Sequence, residues 1–221
     1  MTGPGDAVQQ EGSVKLTEPF YGPKVGEALA FAADVHAGQR RRGKDEPYLS
    51  HLLAVAGLVA HYGGDEEQII AAVLHDAVED QGGEAMSDEI GARFGTRVQS
   101  IVLDCSDSVA PVGVAKADWR VRKEAYLATL TAPDPNGARL VEASDKLSNL
   151  RDIVEDFRTE GVASLERFKG GRDGTLWYYQ QIEKLLMPQV PQIAPQFARE
   201  LREMEAIVAA DNVPARPAAT P

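Results

Sequence analysis

The sequence predicts an all-α protein, one compact multi-helix domain. Three observations predict it. Apolar residues recur at helical spacing through most of the chain. No stretch alternates apolar and polar residues over the length of a strand. Capping residues at helix starts, and Gly or Pro at helix ends, separate the periodic segments.

Residues 1–18 lack periodicity and read as a flexible leader, with the folded domain over 19–209. Pro23 suits a helix start, and Val25, Leu29, Ala32 and Ala33 carry that helix to about His36. Gly38 to Pro47 is a polar, basic loop. Leu49 to Tyr62 is an apolar helix bearing His51, closed by Gly63-Gly64. Asp65 and Gln68 form a capping box for the next helix, which runs through Ala71 to Asp80 and breaks at Gly82-Gly83. Ser87 caps a short helix to Phe94, and Thr96 caps another through Cys105. Residues 107–115 are a loop. Trp119 to Leu130 is helical, ended by Pro133 and Pro135. A long helix follows from Asn136 to Phe157, with Asp145 set among Leu140, Val141, Leu147 and Leu150. Two more helices cover about 162–168 and 172–187. Pro188, Pro191 and Pro195 precede a last helix to about Ala209, and 210–221 is an Ala/Pro-rich tail.

Composition narrows the function. The net charge of −11 is concentrated between residues 51 and 100, which argues against a nucleic-acid binder. The single cysteine, Cys105, excludes an intramolecular disulfide and any C-x-x-C metal or redox site. No apolar run approaches a membrane span and no signal pattern opens the chain, so a cytoplasmic setting without a membrane partner is expected. Oligomeric state is not fixed by the sequence. One basic island, Arg40-Arg41-Arg42-Gly43-Lys44, stands against the acidic background. It reads either as a holder for an anionic small molecule or as a solvated loop.

The stretch Leu74-His75-Asp76-Ala77-Val78-Glu79-Asp80 carries the chemistry. On a regular helix His75 pairs with Glu79, and Asp76 with Asp80, at four-residue spacing. Three carboxylates this close repel, and a bound cation would relieve them. His51 and Asp145 add an imidazole and a carboxylate on two other predicted helices. The set His51, His75, Asp76 and Asp145 is an N/O donor group suited to manganese, iron, nickel or zinc. Each residue also has a plain alternative: His51 as a core histidine, Asp145 as a buried acid paired with Lys146 or Arg151.

The pattern H…HD…D resembles the HD-domain metal-dependent phosphohydrolases. Its context resembles, more narrowly, the hydrolase domain of RelA/SpoT proteins. The carrying segments are His36 to Arg42 with Glu46 to His51, the HDxVED run at His75 to Asp80, and Ala143-Ser144-Asp145-Lys146-Leu147-Ser148-Asn149-Leu150-Arg151. Trp177-Tyr178-Tyr179 adds to the likeness, which covers roughly 24–187. The resemblance implies a stand-alone alarmone hydrolase that removes the 3′-pyrophosphate of (p)ppGpp with Mn²⁺. By position it implies His51, His75, Asp76 and Asp145 as metal ligands, and Glu79 and Asp80 as the catalytic acid pair. It implies Arg41, Arg42, Lys44, Tyr48, Asn149 and Tyr178 as contacts to the guanosine nucleotide. Departures fall on the substrate side. Gln81 stands where the family has threonine, and the basic loop is one residue longer. Trp119, near Arg122 and Lys123, offers a stacking surface in place of a phosphate-contacting lysine. Two other readings stay open: the same fold acting on NADPH or a nucleoside monophosphate, and a non-catalytic nucleotide-binding module.

Overall fold

The structure, a computed structural model, describes residues 21–107, 109, 114 and 117–211. Among them are nine α-helices and no strand, only an isolated bridge between Arg40 and Pro47. The helices are α1 (Pro23–Val35), α2 (Leu49–His61), α3 (Glu66–Leu74), α4 (Gly83–Phe94), α5 (Thr96–Cys105), α6 (Trp119–Thr129), α7 (Ala138–Glu160), α8 (Gly171–Leu185) and α9 (Ala194–Asp211). No helix among the described residues is long and apolar enough to cross a membrane. The expected leader, most of the 107–115 loop and nearly all of the tail lie outside the described residues.

The long helix α7 is the axis. It packs against α2, α3, α5, α8 and α9, so nearly every face of it is covered. That explains a pattern in which Arg139, Glu142, Ser144, Asp145 and Ser148 are buried beside Val141, Leu147 and Leu150. Its first turn is held by Asp134, whose carboxylate accepts the backbone N–H of Ala138 at 2.7 Å and of Arg139 at 3.0 Å. The buried Glu142 accepts from Arg139 at 2.7 Å and from the Tyr126 hydroxyl at 3.1 Å. Burial pushes the Glu142 pKa up, only partly offset by Arg139. Around α7 the core is filled by fully buried Leu52, Ile70, Leu74, Ile101 and Ile182.

The structure corrects three sequence expectations. First, α3 stops at Leu74 rather than running to Asp80, and Val78–Gly82 forms a π-helical turn. The Asp80 N–H still donates to the Asp76 carbonyl at 3.0 Å, so one helical bond crosses the motif. Second, α4 begins at Gly83, ahead of the expected cap at Ser87. Gly83 takes φ +55°, which lets the chain leave the wide turn straight into a helix. Ser87 is then interior and buried, its hydroxyl accepting from Gln99 at 3.0 Å. Third, Thr96 is the first residue of α5 and makes no capping bond; Gly95 holds the cap position at φ +103°. The capping box at α3 forms as expected, with Asp65 and Gln68 bonded reciprocally at 3.0 Å.

Candidate metal centre and nucleotide cavity

Three helices deliver four donors to one point. His51 sits in the first turn of α2, His75 and Asp76 follow directly on the end of α3, and Asp145 lies in the second turn of α7. Donor atoms of His51, His75 and Asp76 all lie within 4.8 Å of one another. The Asp145 Oδ1 is 3.2 Å from the His51 Nε2 and 3.5 Å from the His75 Nε2. The Asp76 Oδ2 is 3.6 Å and 3.0 Å from the same two nitrogens. Despite these approaches, neither buried Nε2 makes a hydrogen bond of acceptable geometry.

The surroundings aim the donors. His75 uses Nδ1 on the Ala72 carbonyl at 2.8 Å, which turns Nε2 into the cluster. Tyr48 donates its hydroxyl to Asp76 at 2.5 Å, and Asn149 donates to Asp145 at 2.5 Å. Lys146 places its ammonium 2.6 Å from the other Asp145 oxygen. Burial opposes charge on His75, yet Asp76 and Asp145 outweigh it and hold the imidazole pKa well above its ordinary value. Burial likewise opposes ionisation of Asp145, but Lys146 and the two histidines hold its carboxyl well below the usual range. Two carboxylates facing two nitrogens with no good partner is the donor set that suits a divalent cation. The residues present fit a metal.

The acid pair of the motif is tied to different walls. The Glu79 Oε1 lies 3.7 Å from the Arg122 guanidinium, and its Oε2 accepts the Asp107 N–H at 3.4 Å. Asp80 accepts from the Gln39 side-chain amide at 2.7 Å. Asp107 is gripped by Arg122 and, at 2.8 Å, by Lys123. Burial acts against its ionisation, but the two cations bring its pKa down to about 2.

These groups line a cavity of about 710 Å³. Its floor holds Asp76 and Asp145, and its walls are cationic on two sides. One wall is the basic loop. There Arg41 donates to Asn149 at 2.8 Å and to Asp152 at 2.6 Å, with its guanidinium 5.6 Å from the Tyr48 ring centre. Lys44 pairs with Asp156 at 2.6 Å. Arg42 stands further out, bonded to the Arg167 carbonyl at 3.5 Å, while Arg40 pairs with exposed Asp45. The other wall is Arg122, Lys123 and Lys146, with Trp119 and Tyr178 beside them. The Lys123 ammonium lies 5.0 Å from the Tyr178 ring centre. Sequence reasoning placed the first wall and treated Lys146 only as a structural partner of Asp145. Asp152, Asp156 and Gln39 were missed; their partners lie far off in sequence, and only the helical spacing Asp145–Asp152–Asp156 along one stripe of α7 hinted at them. Cys105 also lines the cavity, but burial pushes its thiol pKa well above the ordinary value, so it is a poor nucleophile.

A family model described as HD domain matches residues 28–168, which include all four donors. Over 130 residues the chain is 36% identical to mouse guanosine-3′,5′-bis(diphosphate) 3′-pyrophosphohydrolase MESH1, covering 58% of this chain and 68% of the mouse protein. The chain belongs to the HD-domain family of (p)ppGpp hydrolases. Another relative is the guanosine-3′,5′-bis(diphosphate) 3′-pyrophosphohydrolase of Aquifex aeolicus, 34% identical over 152 residues. That match covers 67% of this chain but only 21% of the much longer Aquifex protein. A solved structure of a metazoan orthologue of SpoT that hydrolyzes ppGpp superposes with a TM-score of 0.66 and 25% identity. It covers 85% of this chain and 97% of that one. The all-α HD-domain fold expected from the sequence is therefore the fold observed.

Proposed function

We propose that the protein is a manganese-dependent hydrolase that removes the 3′-pyrophosphate of (p)ppGpp, giving GDP or GTP and pyrophosphate. One observation carries the reading: a buried two-histidine, two-aspartate cluster with partnerless Nε2 atoms, at the floor of a cavity walled by cations. The names of the relatives support the same substrate. We assign His51, His75, Asp76 and Asp145 as the residues that would hold the ion. Bound there, a divalent cation supplies water activation and charge neutralisation at the phosphoryl group.

The remaining steps belong to side chains of this chain. Glu79, steadied by Arg122 and the Asp107 N–H, is the acid placed to take a proton from the attacking water. Asp80, held from the opposite side by Gln39, delivers a proton to the departing oxygen or orients Glu79. Arg41 presents a planar guanidinium beside Tyr48, suited to stacking on the base and to forked bonds with phosphate. Lys44, Arg42 and Asn149 complete that wall, and Tyr178 packs under Lys123 on the other. Lys146, Lys123 and Arg122 face the polyanion and stabilise charge that builds on the leaving pyrophosphate.

The deciding experiment incubates the purified protein and Mn²⁺ with ppGpp, pppGpp, NADPH and nucleoside monophosphates, resolving products by chromatography. Release of GDP or GTP with pyrophosphate is expected. Turnover of NADPH or a monophosphate alone would move the substrate elsewhere within the fold, and tight binding without turnover would make the protein a regulatory module.

A further inference from the structure

Asp80 accepts from a side-chain amide whose own orientation is fixed from two sides. The Gln39 Nε2 donates to the Asp80 Oδ2 at 2.7 Å. Its Oε1 accepts from the His36 Nδ1 at 2.7 Å and from the Gln81 Nε2 at 2.5 Å. While Asp80 is ionised its carboxylate accepts only, so the amide nitrogen faces Asp80 and the amide oxygen faces His36 and Gln81. In that state the His36 Nδ1 is the donor to the Gln39 amide oxygen. His36 is buried and stacks on Tyr48 at 5.3 Å between ring centres. Tyr48 in turn donates to Asp76. One short segment, His36 to Tyr48, thus braces the first and the last acid of the HDxVED run through two separate contacts.

The geometry points to Gln39 as a positioning residue for Asp80, with Gln81 as the lock on Gln39. The assignment rests on the reading of Asp80 as a proton-handling acid. It also gives a use to Gln81, the residue that departs from the resembled motif. The π-helical turn brings Gln81 back toward the Gln39 amide. A threonine at this place is two atoms shorter, and its hydroxyl can donate or accept, so it would fix the amide less strictly.

Gln39→Leu keeps the approximate volume and removes the donor. It should lower kcat by about 10- to 100-fold, the range for one hydrogen bond to a charged group, with KM and bound metal unchanged. Gln39→Glu should not rescue, because it faces one carboxylate with another. Gln81→Leu should cost about 3- to 10-fold alone and nothing further in the Gln39→Leu background, since its effect passes through Gln39. A kcat within about twofold of wild type in Gln39→Leu, or an equal cost of Gln81→Leu in both backgrounds, overturns the proposal. A readout independent of turnover uses the metal-free protein. The Gln39 side-chain amide resonances, assigned by their loss in Gln39→Leu, should shift and lose protection from solvent exchange in Asp80→Asn. If no nucleotide is turned over by wild type, the function above fails while this measurement still decides the contact; unshifted resonances overturn it.

Discussion

Glu79 and Arg41 are the side chains on which the chemistry is most exposed to test. Glu79 faces Arg122 and the Asp107 N–H. Glu79→Gln should therefore retain metal and nucleotide binding while turnover falls by about two to four orders of magnitude, the usual share of acid–base catalysis. Calorimetric binding together with single-turnover rates checks this, and near-normal turnover would reduce Glu79 to a structural acid. Arg41 is mostly buried and spans Asn149 and Asp152, so it is no salt-screened surface charge. Arg41→Ala should lower kcat/KM by about 10- to 100-fold. Comparing a guanosine with an adenosine substrate separates base reading from phosphate holding. Unchanged kinetics on both would return the loop to the solvated surface it resembles in sequence. The four donors were legible because imidazoles and carboxylates are rare in apolar helices. Of the second wall only Trp119, near Arg122 and Lys123, was read as facing substrate; the grip of both cations on Asp107 was not, because fifteen and sixteen residues of chain separate them.

Helices were read correctly where local chemistry decides them. The capping box of α3 is the clearest case, since Asp65 both caps the helix and pairs with Arg97 at 2.9 Å. Asp65→Ala should destabilise the protein by about 1 kcal/mol at neutral pH, the usual worth of such a cap. Burial opposes ionisation of Asp65, but Arg97 and the backbone N–H groups together outweigh it, so its pKa is lowered on folding. The stabilisation is therefore present above the ordinary aspartate range and lost as pH falls through the lowered value. Denaturant titrations of both proteins should converge under strongly acidic conditions; a constant difference across pH would remove the carboxylate from the account. Boundaries failed where tertiary demands override local preference. Nothing in residues 75–82 distinguishes a π-helical turn from an α-helical one, because the same spacing of apolar and acidic residues satisfies both. Ser87 is a good cap by type, yet Gly83 lets the helix start a turn earlier.

Taken whole, the molecule gathers eight cationic side chains, beside seven acids, around one cavity in a chain of net charge −11. A polyanionic nucleotide is repelled by the average surface, and the cavity's cations act on it only within about one Debye length, ~8 Å at physiological salt. The fold class was legible because periodicity and punctuation agree over the whole chain. The role of α7 as the axis was less so. Buried on nearly all faces, and carrying Arg139, Glu142 and Asp145 among its apolar residues, it lacks the clean amphipathic stripe of a surface helix.

The paired imidazoles and carboxylates at the centre have a consequence for how long the protein lasts. Without an ion, the interior keeps two acids and two partnerless nitrogens in close contact, beside the helices that form the core. A ligand that binds only the folded state adds free energy in proportion to the logarithm of its concentration, about 1.4 kcal/mol per decade above Kd. Thermal unfolding of wild type should thus move upward with each tenfold rise in free Mn²⁺, while Asp145→Ala should stay flat over the same series. A wild-type midpoint indifferent to the ion would separate the cluster from metal altogether. If the midpoint moves, metal supply governs abundance as well as turnover, because chains starved of the ion unfold more often and meet proteases sooner.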